Sequence, residues 1–160
     1  MSITAPNLRH LMIVHFLYNV LYEQVNHKFP NLFVASYAIG VCSQEQQHYP
    51  EISVMEMDSL FSLDRKNIIL GQRPLRLAVE VVKPGHRNYQ RDYSLKRAEY
   101  ENLEIPEYWI VDPQENQILI HKLVNSHYRV RKHTDAERII SPTFPTISLT
   151  AAQILSASAS

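Results

Sequence analysis

The sequence predicts an α/β domain in which strands alternate with helical stretches. Three observations predict it: an amphipathic helical pattern near the N-terminus, an apolar run of strand length at residues 75–82, and a second helical stretch between that run and a hairpin pattern. With 160 residues, 45% of them hydrophobic, the chain can bury one substantial core. A single domain over 1–160 is expected, with 1–6 and 156–160 as flexible tails.

Asn7 is placed to cap a first helix, whose apolar positions Leu8, Leu11, Val14, Tyr18, Leu21 and Val25 recur at intervals of three and four. Pro30 ends it. Residues 32–41 are rich in β-branched and aromatic side chains and suit a first strand, followed by a polar turn over 43–48. Residues 51–57 alternate, with Ile52 and Val54 on one face and Glu51, Ser53 and Met55 on the other, which predicts a second strand. Residues 58–73 form an irregular connection with room for a helical turn. The run 75–82 is interrupted only by Arg76 and Glu80, the pattern of a central strand covered on both faces. From 88 to 103 the pattern is helical, with Tyr89, Tyr93, Lys96, Tyr100 and Leu103 on one stripe. Residues 108–111 and 118–123 are joined by the turn chemistry of Asp112-Pro113 and Asn116 into a hairpin that 128–132 extends. A last extended piece at 147–149 and a short helix at 151–155 complete the reading.

Composition removes several classes of function. The single cysteine, Cys42, excludes an internal disulfide and a cysteine-rich zinc site. Three glycines leave no way to write a dinucleotide fingerprint or a phosphate-cradling loop. The eight histidines form no HxxxH or HxH pair, and no Gly-x-Ser-x-Gly elbow is present. No apolar run approaches the ~20 residues that span a bilayer, and the N-terminus lacks the layout of a signal peptide, so a soluble cytoplasmic protein is expected. Formal charge is zero, so a nucleic-acid partner would be held by a local basic patch.

Glu80 sits inside Leu-Ala-Val-Glu-Val-Val, and a buried carboxylate needs a partner, either a metal ion or a basic side chain. Glu51, after Pro50, starts the preceding strand and supplies a second carboxylate, although an acid at that place is ordinarily a solvated strand end. Two converging carboxylates repel unless a cation lies between them, and all-oxygen ligation suits Mg2+ or Mn2+. Lys96 is placed to stabilise charge on a phosphate oxygen, with Asp92 one turn earlier to pair with it. The competing reading is a lysine whose stem lies on Tyr93 and Tyr100 with its amine in water. Lys83, Arg87, Arg91, Lys96 and Arg97 are opposed only by Asp92 over 83–98, a candidate surface for tracking DNA phosphates.

The string LAVEVVKP…RDYSLKRAEYENLEIPEYWIVDPQENQILIHKL resembles the Uma family, cyanobacterial proteins classed as endonucleases within the PD-(D/E)XK superfamily. The resemblance runs from about Asn7 through Pro50-Glu51 and Glu80 to Ser141-Pro142, Pro145 and Leu149. It implies a restriction-endonuclease-like core, a mixed β-sheet flanked by helices, with Glu51 in the place of the family's Pro-Asp acid, Glu80 as the strand glutamate, and Asp92, Lys96 and Tyr100 as the helical Asp…Lys…Tyr pattern. Val82 occupies the place of the usual lysine two residues after the glutamate, which assigns that role to Lys96, with Lys83 as the nearer alternative. Glutamate at 51 departs from the family's aspartate, and the family's acidic N-terminal string is missing. The resemblance implies a Mg2+- or Mn2+-dependent endonuclease hydrolysing DNA phosphodiester bonds, with metal on Glu51 and Glu80 and DNA contacts from Arg87, Arg91 and Arg97. The alternatives are a weakened module of the same fold that binds DNA or protein without cutting, and a structural domain in which Glu80 pairs with a basic neighbour. A homodimer is expected by analogy with nucleases that pair to cut both strands.

Overall fold

A computed structural model describes residues 6–44 and 46–157. A long helix, α1 (Pro6–Lys28), is followed by β1 (Leu32–Ser36), β2 (Gly40–Ser43), β3 (Gln46–His48) and β4 (Ile52–Glu56). A 3-10 turn (Met57–Ser62) and β5 (Ile68–Ile69) lead to β6 (Leu77–Val81). Then α2 (His86–Gln90), a π-helical turn (Arg91–Leu95) and α3 (Lys96–Asn102) form one continuous helical rod. The chain ends with β7 (Glu107–Asp112), β8 (Gln117–Val124), β9 (His127–His133) and α4 (Ala151–Leu155).

Six strands form a mixed sheet in the order β1-β4-β6-β7-β8-β9, and β3-β2-β5 form a small second sheet. In the large sheet only β6 and β7 run parallel. They are the pair joined by the helical rod, which supplies the crossover that parallel neighbours require. Leu77, Val79 and Val81 of β6 face a core built with Ile13, Leu17 and Leu21 of α1, Trp109 and Phe144. Ala78 and Val82 face a second core built with Tyr100, Leu103, Tyr108 and Ile110. Burial on both faces explains the nearly unbroken apolar run in the sequence.

Several expectations are corrected. The buried stripe of α1 runs through His10, Ile13, Val14, Leu17, Leu21 and Val25, leaving Leu8 and Leu11 about half exposed. The helix starts at Pro6, inside the expected tail, and the cap expected from the Asn7 side chain falls outside the described residues, as do 1–5 and 158–160. The expected first strand is broken at Tyr37, whose φ of 58° ends β1 and sends β2 into the other sheet. The polar segment expected as a plain turn carries the hairpin of β2 and β3. Residues 147–149 form no strand. The guanidinium of Arg138 holds the Ile147 carbonyl at 2.9 and 3.1 Å, and a single bridge joins Arg138 to Thr150. Thr150 then caps α4 through a capping box with Gln153, so the helix falls on the expected residues. Ala157, expected in the tail, packs on the first core.

One buried carboxyl ties the C-terminal loop to the sheet. Glu107, fully buried, accepts hydrogen bonds from the Trp109 indole, from Ser141 Oγ at 2.7 Å and from the Thr143 amide at 2.8 Å. Ser141 Oγ in turn accepts the Phe144 amide, which fixes the Phe144 ring in the core. Burial raises the Glu107 pKa and these donors oppose the rise. Glu107→Leu leaves three donors unpaired and is expected to lower the unfolding free energy by about 3 kcal/mol, measured by urea denaturation. A loss below about 1 kcal/mol would mean that packing of Phe144 alone holds the loop.

Candidate active site

Strand register assembles the site. Ser36 pairs with Ile52 and Ile52 with Val79, so one step further along, Tyr37, Glu51 and Glu80 stand side by side on neighbouring backbones. The Tyr37 amide donates to the Glu51 carbonyl at 3.1 Å, continuing the ladder past the end of β1. The Glu51 carboxylate is held from two sides: Oε2 accepts the Val81 amide, and Oε1 accepts His10 Nε2 at 2.8 Å. His10 reaches it from the buried stripe of α1.

The helical rod supplies the other half. Glu80 Oε1 accepts the Tyr100 hydroxyl at 2.9 Å and the Lys96 amine at 2.9 Å, and Lys96 Nζ lies 3.5 Å from Asp92 Oδ1. Residues four apart on an α-helix drift by about 40° around the axis. The wider π turn immediately before Lys96 offsets that drift and turns Asp92 toward the same side as Lys96 and Tyr100. The Tyr108 hydroxyl donates to the Asp92 carbonyl at 2.8 Å and pins the turn to the sheet. Beside the Tyr100 ring, the His48 imidazole meets the Glu99 carboxylate and ties the small sheet to α3.

The electrostatics are unbalanced toward acid. Glu51, Glu80 and Asp92 are all buried, facing one lysine and one histidine, while the half-exposed Arg91 guanidinium lies 3.7 Å from Asp92. Burial, opposed by Lys96 and reinforced by Glu51 and Asp92, raises the Glu80 pKa to about 8. Asp92 is raised as well, by burial against the pull of Lys96 and Arg91. Its Oδ1 is buried without a hydrogen-bond partner. The hydroxyls of Tyr37 and Tyr100 are raised by burial first and by the neighbouring carboxylates, so they remain protonated donors.

Residues 2–152 match the sequence model of Uma2, described as "Putative restriction endonuclease". The chain belongs to the Uma2 family. A crystal structure of "a putative nuclease belonging to DUF820" from Anabaena variabilis superimposes with a TM-score of 0.72 over 92% of this chain and 80% of that one. At 13% identity this likeness is one of fold, a restriction-endonuclease-like mixed sheet between helices. No curated protein matches the chain.

The Uma2 pattern identified in the sequence lands on this cluster unevenly. Glu51, Glu80, Asp92, Lys96 and Tyr100 come together. Lys83 is exposed and lines a separate cavity, so of the two lysines it is Lys96 that meets Glu80. Arg87 and Arg91 share one exposed depression of the rod, whereas Arg97 is turned toward β8 and β9, where its charge acts on His121 and Tyr128. The direct contact of Lys96 with Glu80 suits both a catalytic pair and a structural ion pair; three buried carboxylates exceed what a closed pair needs. Sequence reasoning missed His10, although its spacing of three and four from Ile13 and Val14 puts it on the buried stripe. Among the described residues no group of three or more His, Cys, Asp or Glu side chains is gathered closely enough to hold a metal ion.

A folded-state pKa above the ordinary glutamate value makes Glu80 a proton sink of the native state. Its stabilising contribution is complete below about pH 4.5 and is lost as pH rises through about 8. Thermal unfolding followed across this window should show wild type losing more stability with rising pH than Glu80→Gln. Parallel curves would mean that Glu80 is ionised throughout.

Proposed function

We propose that this Uma2 protein is a divalent-metal-dependent endonuclease that hydrolyses DNA phosphodiester bonds, with Glu51, Glu80 and Lys96 as its catalytic residues. The observation that carries the proposal is the surplus of buried acid, Glu80, Glu51 and Asp92 against Lys96 and His10, with Asp92 Oδ1 lying 3.5 Å from Lys96 Nζ and 3.7 Å from the half-exposed Arg91 but accepting no hydrogen bond. Burying charge is costly, and a site that retains more acid than base in the absence of a ligand is one suited to a cation.

The donors are carboxylate oxygens, the type that Mg2+ or Mn2+ takes, and to hold one ion Glu51 would have to release His10 or the Val81 amide and draw toward Glu80. Glu51, just before β4, and Glu80 on β6 are hard oxygen donors on neighbouring backbones, and water would complete the coordination. When bound, the ion would supply Lewis acidity toward a phosphate oxygen and lower the pKa of a water molecule. The protein's own residues then have defined tasks. Val81 N–H and His10 orient Glu51, and Tyr100 orients Glu80. Lys96, kept near Glu80 by Asp92, presents its ammonium to charge developing on the phosphate. Arg87 and Arg91 lie exposed on the same rod, where they can meet flanking phosphates.

A second reading, a module of the same fold that binds DNA or protein without cutting, is favoured by one feature: both Glu51 oxygens are already engaged within the chain. Among the described residues no helix is long and apolar enough to cross a membrane.

Nicking of supercoiled plasmid by the purified protein with Mg2+ or Mn2+ is the direct measurement. Glu80→Gln and Lys96→Met are each expected to reduce the rate by about a hundredfold or more, and Mn2+ is expected to raise the unfolding temperature of wild type but not of Glu80→Gln. Cutting that survives Glu80→Gln would trace to a contaminant and sink the assignment. Binding of DNA with neither cutting nor a response to Mn2+ would establish the second reading.

A further inference from the structure

At the C-terminal ends of the two parallel strands, one step beyond Glu80, lies a cavity of about 320 Å3. This is within the range of small-molecule sites, ~300–1,000 Å3. Its lining includes Val82, Lys83, His86, Tyr89, Asp112 and Gln114. Val82 is two residues past Glu80, just after β6 ends, and shares the core of Ala78, which puts the cavity about 7 Å along the chain from the carboxylate. A crevice beyond the carboxyl ends of parallel strands is where α/β sheets place ligands.

The construction of its aromatic wall is the informative part. Tyr89 is 40% exposed, yet it is not loose: its ring stacks on Tyr93 at 4.1 Å between centroids and 18° between planes. Tyr93 is fixed in turn, donating to Asp112 Oδ2 at 2.7 Å and accepting Gln117 Nε2 at 2.8 Å. An exposed ring held this firmly gains little for the core and makes a rigid platform for a second flat group. Asp112 cannot serve as a free acid here, because Oδ1 already accepts the amides of Gln114 and Glu115 at 3.0 and 3.1 Å. What remains is a flat aromatic face, an exposed carboxamide on Gln114 that both donates and accepts, the exposed Lys83 ammonium and His86 imidazole, and one exposed carboxylate, Glu115.

We infer that this cavity receives an unpaired nucleobase, stacked on Tyr89 with its edge toward Gln114 and its phosphate toward Lys83, so that the substrate carries a single-stranded nucleotide beside the phosphate that meets Lys96. The inference rests on the DNA reading above and adds the strandedness of the substrate. Every base has a face that stacks, so such a platform recognises single strands with little regard to sequence. Duplex DNA keeps its bases paired and stacked, and gains nothing from Tyr89.

The test is fluorescence anisotropy in EDTA, with labelled oligothymidylate of about a dozen nucleotides and a duplex of equal length. Wild type is expected to favour the single strand. Tyr89→Ala, at an exposed position, is expected to weaken that binding about tenfold and leave duplex binding unchanged, and Tyr89→Phe to retain wild-type affinity for both. Equal losses on the two probes, or no loss on the single strand, would overturn the inference. Glu80-dependent cleavage by a protein without single-strand preference overturns the pocket alone; a protein that binds neither probe overturns the pocket and the DNA reading together.

Discussion

Everything around the site follows from the cost of keeping carboxylates out of water. Glu80 lies near the end of a central strand in a sheet covered on both faces, and a lone charge there would be prohibitive. The amine of Lys96 and the hydroxyl of Tyr100 both converge on one of its oxygens, and burial raises its pKa against the pull of Lys96. Those donors come from a helix, so the helix must cross the sheet at one place with one rotation. The crossover between β6 and β7 fixes the place and the π turn adjusts the rotation. Glu51 is supported independently, by α1 from the other side of the sheet and by the β6 backbone. Two layers of helix are thus committed to two acids.

The sequence exposes the parts of this arrangement that depend on periodicity. Glu80 is conspicuous because it breaks an apolar run, and Lys96 because it falls among tyrosines. The short helix at 151–155 is legible because Thr150 and Gln153 form a local capping pair. What is hidden depends on departures from regular geometry or on contacts distant in sequence. The stripe of Tyr89, Tyr93, Lys96 and Tyr100 is not one face: Tyr93 bonds to Asp112 while Lys96 and Tyr100 bond to Glu80, because a π turn separates them. The break at Tyr37 is hidden because a tyrosine carries no signal for a left-handed backbone. The role of His10 depends on an acid 41 positions away, and its own neighbours say only that it is buried.

The two ends of the sheet are specialised. At the end where β1 and β6 finish and β4 begins, Tyr37, Glu51 and Glu80 stand on neighbouring backbones, and the two acids reach out to groups on the helices and the β6 backbone. At the opposite end Glu107 also buries a carboxyl, but it meets three donors and is closed off. The contrast between a satisfied acid and an unsatisfied cluster in the same sheet separates scaffold from site more clearly than burial does, since all these groups are buried.

The π turn also bears on how this chain is compared with its relatives. Such a turn holds one residue more than the α-helical turn it replaces, so it is a difference in chain length placed inside a helix, where gaps are ordinarily forbidden. A relative with a plain α-helix here would equate correctly at Tyr100 or at Tyr89, but not at both. An alignment that slides the whole helix without a gap would displace Asp92 from its counterpart while keeping Lys96 in place. Judging from sequence which members keep the acid–amine pair therefore requires a one-residue gap within 91–95 rather than at either end of the helix.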